Sequence, residues 1–189
     1  MTETSELRTD RLLLRRWRPS DRAPFAELNA DPRVMEHFPA TMTREESDAL
    51  IDRIEGYFDR HGYGLWALEV AETGTFIGFT GLIPQTFEAH FTPAVEVGWR
   101  LAAHAWGHGY ASEAARASLT YGFDRLGLDE IVSMTIPANT RSQAVMRRIG
   151  MTRDPADDFD HPRLISDDRM RRHVLYRIGA ARWRELQVG

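Results

Sequence analysis

The chain contains no cysteine and no lysine. Without cysteine there is no disulfide framework, no thiol nucleophile and no thiolate metal site. Without lysine, three phosphate-handling enzyme classes fall away. A P-loop NTPase sets a lysine on the phosphates after its second glycine, a protein kinase needs a strand lysine, and a pyridoxal-phosphate enzyme needs a Schiff-base lysine. All 24 basic side chains are arginines, against 28 acidic ones. The resulting net charge of −4 argues against wholesale binding to nucleic acid or an anionic membrane. No apolar run approaches the roughly 18–20 residues that a membrane span requires. The opening Met1-Thr2-Glu3-Thr4-Ser5-Glu6 is polar and acidic, unlike a secretory signal. A cytoplasmic protein is the simplest reading. With 189 residues and 42% hydrophobic content, one core can form, so a single domain over residues 1–189 is expected.

What is present has clear periodicity. Leu12 to Trp17 reads as a strand, and Pro19-Ser20-Asp21 opens a short helix with Ser20 as its cap. Thr43-Arg44-Glu45-Glu46 is a capping box, which predicts a helix from residue 44 to about 60. Its apolar residues Leu50, Ile51, Ile54, Tyr57 and Phe58 recur at helical spacing, and His61-Gly62-Tyr63-Gly64 ends it. Strands over 65–70 and 76–82 are joined through Glu72-Thr73-Gly74, a hairpin signal. A strand over 94–101, a helix over 109–126 stopped at Gly127, a strand over 131–136, a helix over 141–149 and a strand over 173–178 complete the reading. No repeat or linker interrupts it. Interleaved strands and helices with a hairpin in the middle predict a mixed α/β sheet.

The most informative stretch is Val95-Glu96-Val97-Gly98-Trp99-Arg100-Leu101, followed by Trp106-Gly107-His108-Gly109-Tyr110-Ala111-Ser112. An apolar strand runs into a two-glycine turn that opens an alanine-rich helix. Backbone N–H groups at a helix start are unpaired, and the helix dipole adds partial positive charge there, so this is a phosphate-binding corner. Glycines let the backbone approach a pyrophosphate closely. The dinucleotide fingerprint fits poorly, because Ala111 and Ser112 stand where its third glycine would fall.

The segment from Gly98 to Ala111 resembles the acetyl-CoA loop of the GNAT N-acetyltransferases, whose pattern is Arg/Gln-x-x-Gly-x-Gly/Ala. The glycines match, and His104 departs from the first position. A second block, Ile136-Pro137-Ala138-Asn139-Thr140-Arg141-Ser142 with Val145-Met146 and Gly150-Met151, resembles the family's later strand and helix. A third, Leu7-Arg8-Thr9-Asp10-Arg11-Leu12-Leu13-Leu14-Arg15, resembles the opening of the ribosomal-protein N-terminal acetyltransferase branch. The resemblance implies a mixed, mostly antiparallel central sheet flanked by helices, with a bulged strand near 95–101. It implies acetyl-CoA as co-substrate, no metal, a primary amine as acceptor and direct attack without an acyl-enzyme. A protein or peptide N-terminus is the expected acceptor. A small-molecule amine is the alternative, and a non-catalytic acyl-CoA-binding module is the rival from another class. Homodimers are common in the family. A GC-rich coding bias accounts for the missing lysines more simply than self-protection of such an enzyme does.

The resemblance also assigns roles. Glu96, on the strand feeding the turn, is the candidate base, with a structural hydrogen-bond acceptor as the other reading. Backbone N–H groups of Trp99, Arg100 and Leu101 would hold the pantetheine and polarise the thioester carbonyl. Gly107, His108, Gly109, Tyr110, Ala111 and Ser112 would take the pyrophosphate, and Arg141 or Arg147 the 3′-phosphate. Asn139 either holds the cofactor or amine or simply caps a helix. Many members carry a tyrosine acid where Met146 stands here, so Ser142 or water would protonate the thiolate, although Ser142 equally suits capping or packing. His37-Phe38-Pro39 and Trp66 either line the acceptor pocket or belong to the scaffold. His161 beside Asp157, Asp158 and Asp160 looks superficially like a metal cluster, but the composition is that of a solvated loop.

Overall fold

A computed structural model describes residues 6–188; the polar stretch Met1–Ser5, read above as unlike a signal, lies outside the described residues, as does Gly189. The elements are β1 (Leu7–Arg8), β2 (Leu12–Arg15), α1 (Arg22–Ala30), α2 (Arg44–His61), β3 (Leu65–Val70), β4 (Thr75–Gln85), β5 (Ala94–Leu101), α3 (Tyr110–Thr120), β6 (Glu130–Thr135), α4 (Thr140–Arg148), β7 (Thr152–Arg153), β8 (Phe159–Asp160), β9 (Arg172–Gly179) and α5 (Ala180–Val188). The strands follow the order β1-β2-β3-β4-β5-β6-β9-β7, with β8 paired to β9. β5 and β6 run parallel, registered at Glu96↔Val132. The pairs β1–β2, β2–β3, β3–β4, β6–β9, β7–β9 and β8–β9 are antiparallel. The expected mixed, mostly antiparallel sheet with flanking helices is the fold observed.

The chain divides into two compact units, and β5 passes from one to the other at Val97–Gly98. The first unit holds residues up to Ile83 together with Gly98–Ser118. Its core is aromatic: the Trp17 ring lies 4.7 Å from Phe25 and 5.6 Å from Phe76, and its indole N–H donates to the Leu65 carbonyl at 2.8 Å. Beneath it, buried Arg15 on β2 bridges Asp21 at 2.8 Å and Glu69 at 2.8 Å. α2 begins as expected, with Thr43 accepting from the Glu46 N–H and the Glu46 carboxylate accepting from the Thr43 N–H. The second unit, Pro84–Val97 and the chain from Leu119 onward, is built around Phe87, Val132, Phe159 and Leu175.

Two expectations are corrected and one element was not expected. Ser20 is not a cap: the single 3-10 turn over Pro19–Asp21 starts at Arg18, whose N–H donates to the Asp21 carboxylate at 2.7 Å. The helix expected over 109–126 keeps α geometry only from Tyr110 to Thr120, then widens into a π turn in which the Leu126 N–H reaches the Tyr121 carbonyl. Finally, α5 has no counterpart in the sequence reading. Its apolar side chains form no stripe: Trp183 is buried, whereas Leu186 and Val188 are exposed. Among the described residues no helix is long and apolar enough to cross a membrane.

Candidate active site

In the second unit, strand alternation sets Ala94 and Glu96 on one face of β5. Ala94 packs against the Phe87–Val132–Phe159–Leu175 cluster, as does Met134 of β6. Glu96 is half-buried beside this apolar floor. Burial pushes its pKa up to about 7, even though its carboxyl group accepts hydrogen bonds from the Gln85 amide and the Met134 N–H, both of which favour the charged form. A carboxylate with that pKa exchanges protons near neutrality, which is what a general base requires.

The next two carbonyls of β5 accept side-chain hydroxyls. The Val97 carbonyl takes the Ser133 hydroxyl at 2.9 Å in the second unit, and the Gly98 carbonyl takes the Thr80 hydroxyl at 2.9 Å in the first. Trp99 is half-buried, while Arg100 and Leu101 are buried. The Arg100 side chain runs into the first unit's core. There it donates to Asn29 Oδ1 at 2.6 Å and lies 4.2 Å from the centre of the Phe38 ring. Burial lowers its pKa to about 10, and its Nε has no hydrogen-bond partner. Any part for Arg100 at a cofactor therefore falls to its main chain. The Leu101 carbonyl accepts from the Trp106 indole at 3.0 Å.

Beyond β5 lies the glycine turn. Gly107 and Gly109 both have φ of 79°, a left-handed conformation that side chains rarely adopt. A Cβ at Gly107 would meet nothing within 4 Å, so that face of the turn opens outward. The Gly109 carbonyl accepts from the Glu113 N–H at 3.1 Å, which starts α3 and leaves the preceding N–H groups at the helix mouth. Residues 107–109 are exposed, Tyr110 and Ala111 half-buried and Ser112 buried. The corner fits a diphosphate in its main-chain donors, its helix dipole and its lack of side-chain bulk.

The second block forms α4. Asn139 caps it: Oδ1 accepts from the Ser142 N–H at 3.2 Å, and Nδ2 donates to the Thr135 hydroxyl at 2.9 Å. Each end of that amide makes one local bond and keeps a further hydrogen-bonding position. Ser142 is half-buried in the first turn of the helix, and Met146 is core.

Over residues 11–152 the sequence matches the acetyltransferase (GNAT) domain family. The chain belongs to that family. It is 34% identical over 152 residues to the uncharacterized protein YkkB of Bacillus subtilis, a match that covers 80% of this chain and 87% of that one. The fold superposes on a GNAT-family acetyltransferase crystal structure from Bacillus anthracis with a TM-score of 0.78 at 26% identity, over 93% and 99% of the two chains. The ribosomal-protein-S5-alanine acetyltransferase of Vibrio fischeri shares the fold with a TM-score of 0.70 at 17% identity, over 94% and 98%. The GNAT family consists of N-acetyltransferases that take acetyl-CoA as co-substrate.

Measured against the GNAT pattern, the departures have structural accounts. His104 is an exposed side chain that lines, with Asp31, Arg33 and Phe76, a groove of about 340 Å³ beside α1. Tyr176 on β9, which the sequence did not point to, reaches the helix that carries Met146. Its hydroxyl donates to Gln143 at 3.2 Å and accepts from Arg147 at 3.1 Å, so Tyr176 braces α4 and also occupies Arg147. Trp66 is fully buried scaffold. The acidic stretch is not simply solvated. Asp157 pairs with Arg177 at 2.8 Å, Asp158 with Arg153, and Asp160 with Arg172 at 3.3 Å. The His161 ring packs 4.6 Å from Phe87. Among the described residues, no group of three or more His, Asp or Glu is arranged to hold a metal ion. Gln85 was also missed; nothing in the strand end Ile83-Pro84-Gln85 distinguishes it until β4 places it on Glu96.

Proposed function

We propose that this chain is a cytoplasmic enzyme that transfers an acetyl group from acetyl-CoA to the α-amine of a protein or peptide N-terminus. One observation carries the reading: a carboxyl group with a pKa of about 7, Glu96, on the strand that feeds a diphosphate-shaped turn. The N-terminal α-amine has a reference pKa of about 7.7–8.0, against about 10.4 for lysine. Glu96 lies close to the former, so proton transfer to it, directly or through water, is nearly balanced for an α-amine and uphill for a lysine.

Acetyl-CoA supplies an activated acyl thioester. The turn at Gly107–Gly109 and the first turn of α3 hold its diphosphate with main-chain N–H groups, and main-chain N–H groups of Trp99 to Leu101 polarise the carbonyl oxygen. Gln85 and the Met134 N–H keep the Glu96 carboxyl group aimed and partly ionised. Ser142 or water returns a proton to the leaving thiolate. With no cysteine in the chain, direct attack by the amine is the consistent route. The family match crosses both compact units, which supports reading them as one acetyltransferase domain.

The test is CoA release from acetyl-CoA in the presence of short peptides with a free α-amine, N-blocked peptides that contain lysine, and simple polyamines. Turnover confined to free N-termini and abolished in Glu96→Gln supports the proposal. Turnover on polyamines or lysine alone overturns the acceptor, and full activity in Glu96→Gln overturns the base.

A further inference from the structure

The turn between β1 and β2 carries Thr9-Asp10-Arg11, part of the N-terminal block whose role the proposed chemistry leaves unassigned. Both of its hydrogen-bonding side chains end at the start of α3. The Thr9 hydroxyl donates to Glu113 Oε1 at 2.6 Å, and the Arg11 main-chain N–H meets the same oxygen at 3.0 Å. The Arg11 guanidinium grips Glu113 Oε2 through Nε at 2.7 Å and Nη2 at 2.6 Å. Its third nitrogen, Nη1, donates to the His108 carbonyl at 2.9 Å, and its plane lies over the Tyr110 ring at 4.8 Å. Burial raises the Glu113 pKa, but the bonds from Thr9 and Arg11 outweigh that effect and hold the carboxyl group below its ordinary range.

The grip on His108 has a consequence for the turn. In a trans peptide the C=O and the following N–H point in opposite directions. Drawing the His108 carbonyl toward Arg11 therefore aims the Gly109 N–H the other way. The Gly109 carbonyl is likewise held by the Glu113 N–H, which aims the Tyr110 N–H out of the helix mouth. A left-handed glycine on either side of His108 leaves this peptide otherwise free to rotate. We propose that Arg11 is a positioning residue for acetyl-CoA: clamped by Glu113, it orients the Gly107–Gly109 turn so that consecutive N–H groups face the diphosphate. It acts through the main chain. The pair also cancels the Glu113 charge, which would otherwise lie uncovered next to an anionic ligand. This inference rests on the cofactor half of the proposed function and is independent of the acceptor. It makes the N-terminal block a device of the cofactor end, so its likeness to the ribosomal-protein branch bears on acetyl-CoA and not on the amine.

The test is calorimetric binding of CoA and of S-acetylpantetheine, which lacks the diphosphate, to the wild type and to Arg11→Ala, Arg11→Lys and Gly109→Leu, with thermal melting of each. Arg11→Ala should weaken CoA about tenfold, the usual scale for losing one charge-assisted contact, and leave S-acetylpantetheine within about twofold. Arg11→Lys, which keeps the charge and loses the fork, should behave like Arg11→Ala. Equal weakening of both ligands would mean general loosening and overturn the proposal. So would unchanged CoA affinity in Arg11→Ala, or full rescue by lysine. Gly109→Leu separates this failure from that of the parent reading. If it weakens CoA while Arg11→Ala does not, only the positioning role falls; if it too leaves CoA unaffected, the corner is not the cofactor site.

Discussion

Glu96 was legible as a candidate base because it lies on the strand that feeds the two-glycine turn, where the GNAT resemblance implies a glutamate base. Its unusual proton affinity was not legible, because the cause is tertiary: the surrounding protein raises its pKa while Gln85 and Met134 lower it. A base that must be ionised to act gives a rate that rises with pH. The kcat/KM profile should therefore show an acidic limb near pH 7, and Glu96→Gln should remove that limb and cut the rate by about 10²–10⁴-fold. Gln85→Leu deletes a bond that favours the carboxylate, so its limb should move to higher pH with the rate above the limb largely kept. A limb that stays in place in Gln85→Leu would mean that the amide does not tune Glu96. Arg100 shows the opposite case. Period-two alternation gave its place in β5, yet no local signal announced a guanidinium buried against Asn29, a partner far away in the chain.

Elements with local punctuation were read nearly to the residue. α2 is the clearest, since its start depends on two reciprocal bonds within four residues, Thr43 to Glu46 and back, and its end on a glycine cap. Thr43→Ala should remove one of those bonds and destabilise the protein by about 1 kcal/mol, seen as a lower denaturation midpoint with an unchanged slope. A change in slope instead would show that the helix frays separately from the rest. Elements whose ends are decided at a distance were misread. Ser20 and Asp21 are both capping types, yet neither side chain caps the helix that follows, because the Asp21 carboxylate is held by Arg15 on β2 and the Arg18 N–H, which the local sequence does not reveal. α5 follows β9 without a break, and its start is pinned by the Ala180 N–H on the Asp129 carbonyl. The π turn after Thr120 likewise lies inside a stretch whose helical spacing gives no sign of a wider turn.

At the scale of the whole molecule, two groups should tilt stability against pH in opposite directions. His161 is packed among Phe87, Phe159 and His173. Burial first, then the nearby charges of His173 and Arg163, lower its pKa to about 4. An unfolded chain binds that proton near pH 6.5, so below this value the unfolded state is favoured and stability falls as pH drops toward 4. Glu96 works the other way. The native state keeps its proton up to about pH 7, while the unfolded chain releases it near the ordinary glutamate value, so stability falls as pH rises across that range. Glu113 and Asp158, whose pKa values are lowered in the native state, weigh only at more acidic pH, whereas His173, whose pKa burial also lowers, adds to the His161 slope, so the interval from about pH 5 to 7 sets the two histidines against Glu96. Melting curves across that interval should therefore diverge: relative to the wild type, His161→Phe should lose stability as pH rises, because one of the two opposing histidine slopes is removed, and Glu96→Gln should gain it, because only the histidine slopes remain. Curves that stay parallel for all three proteins would mean that neither group titrates abnormally, and the case for Glu96 as a neutral-pH base would fall with them.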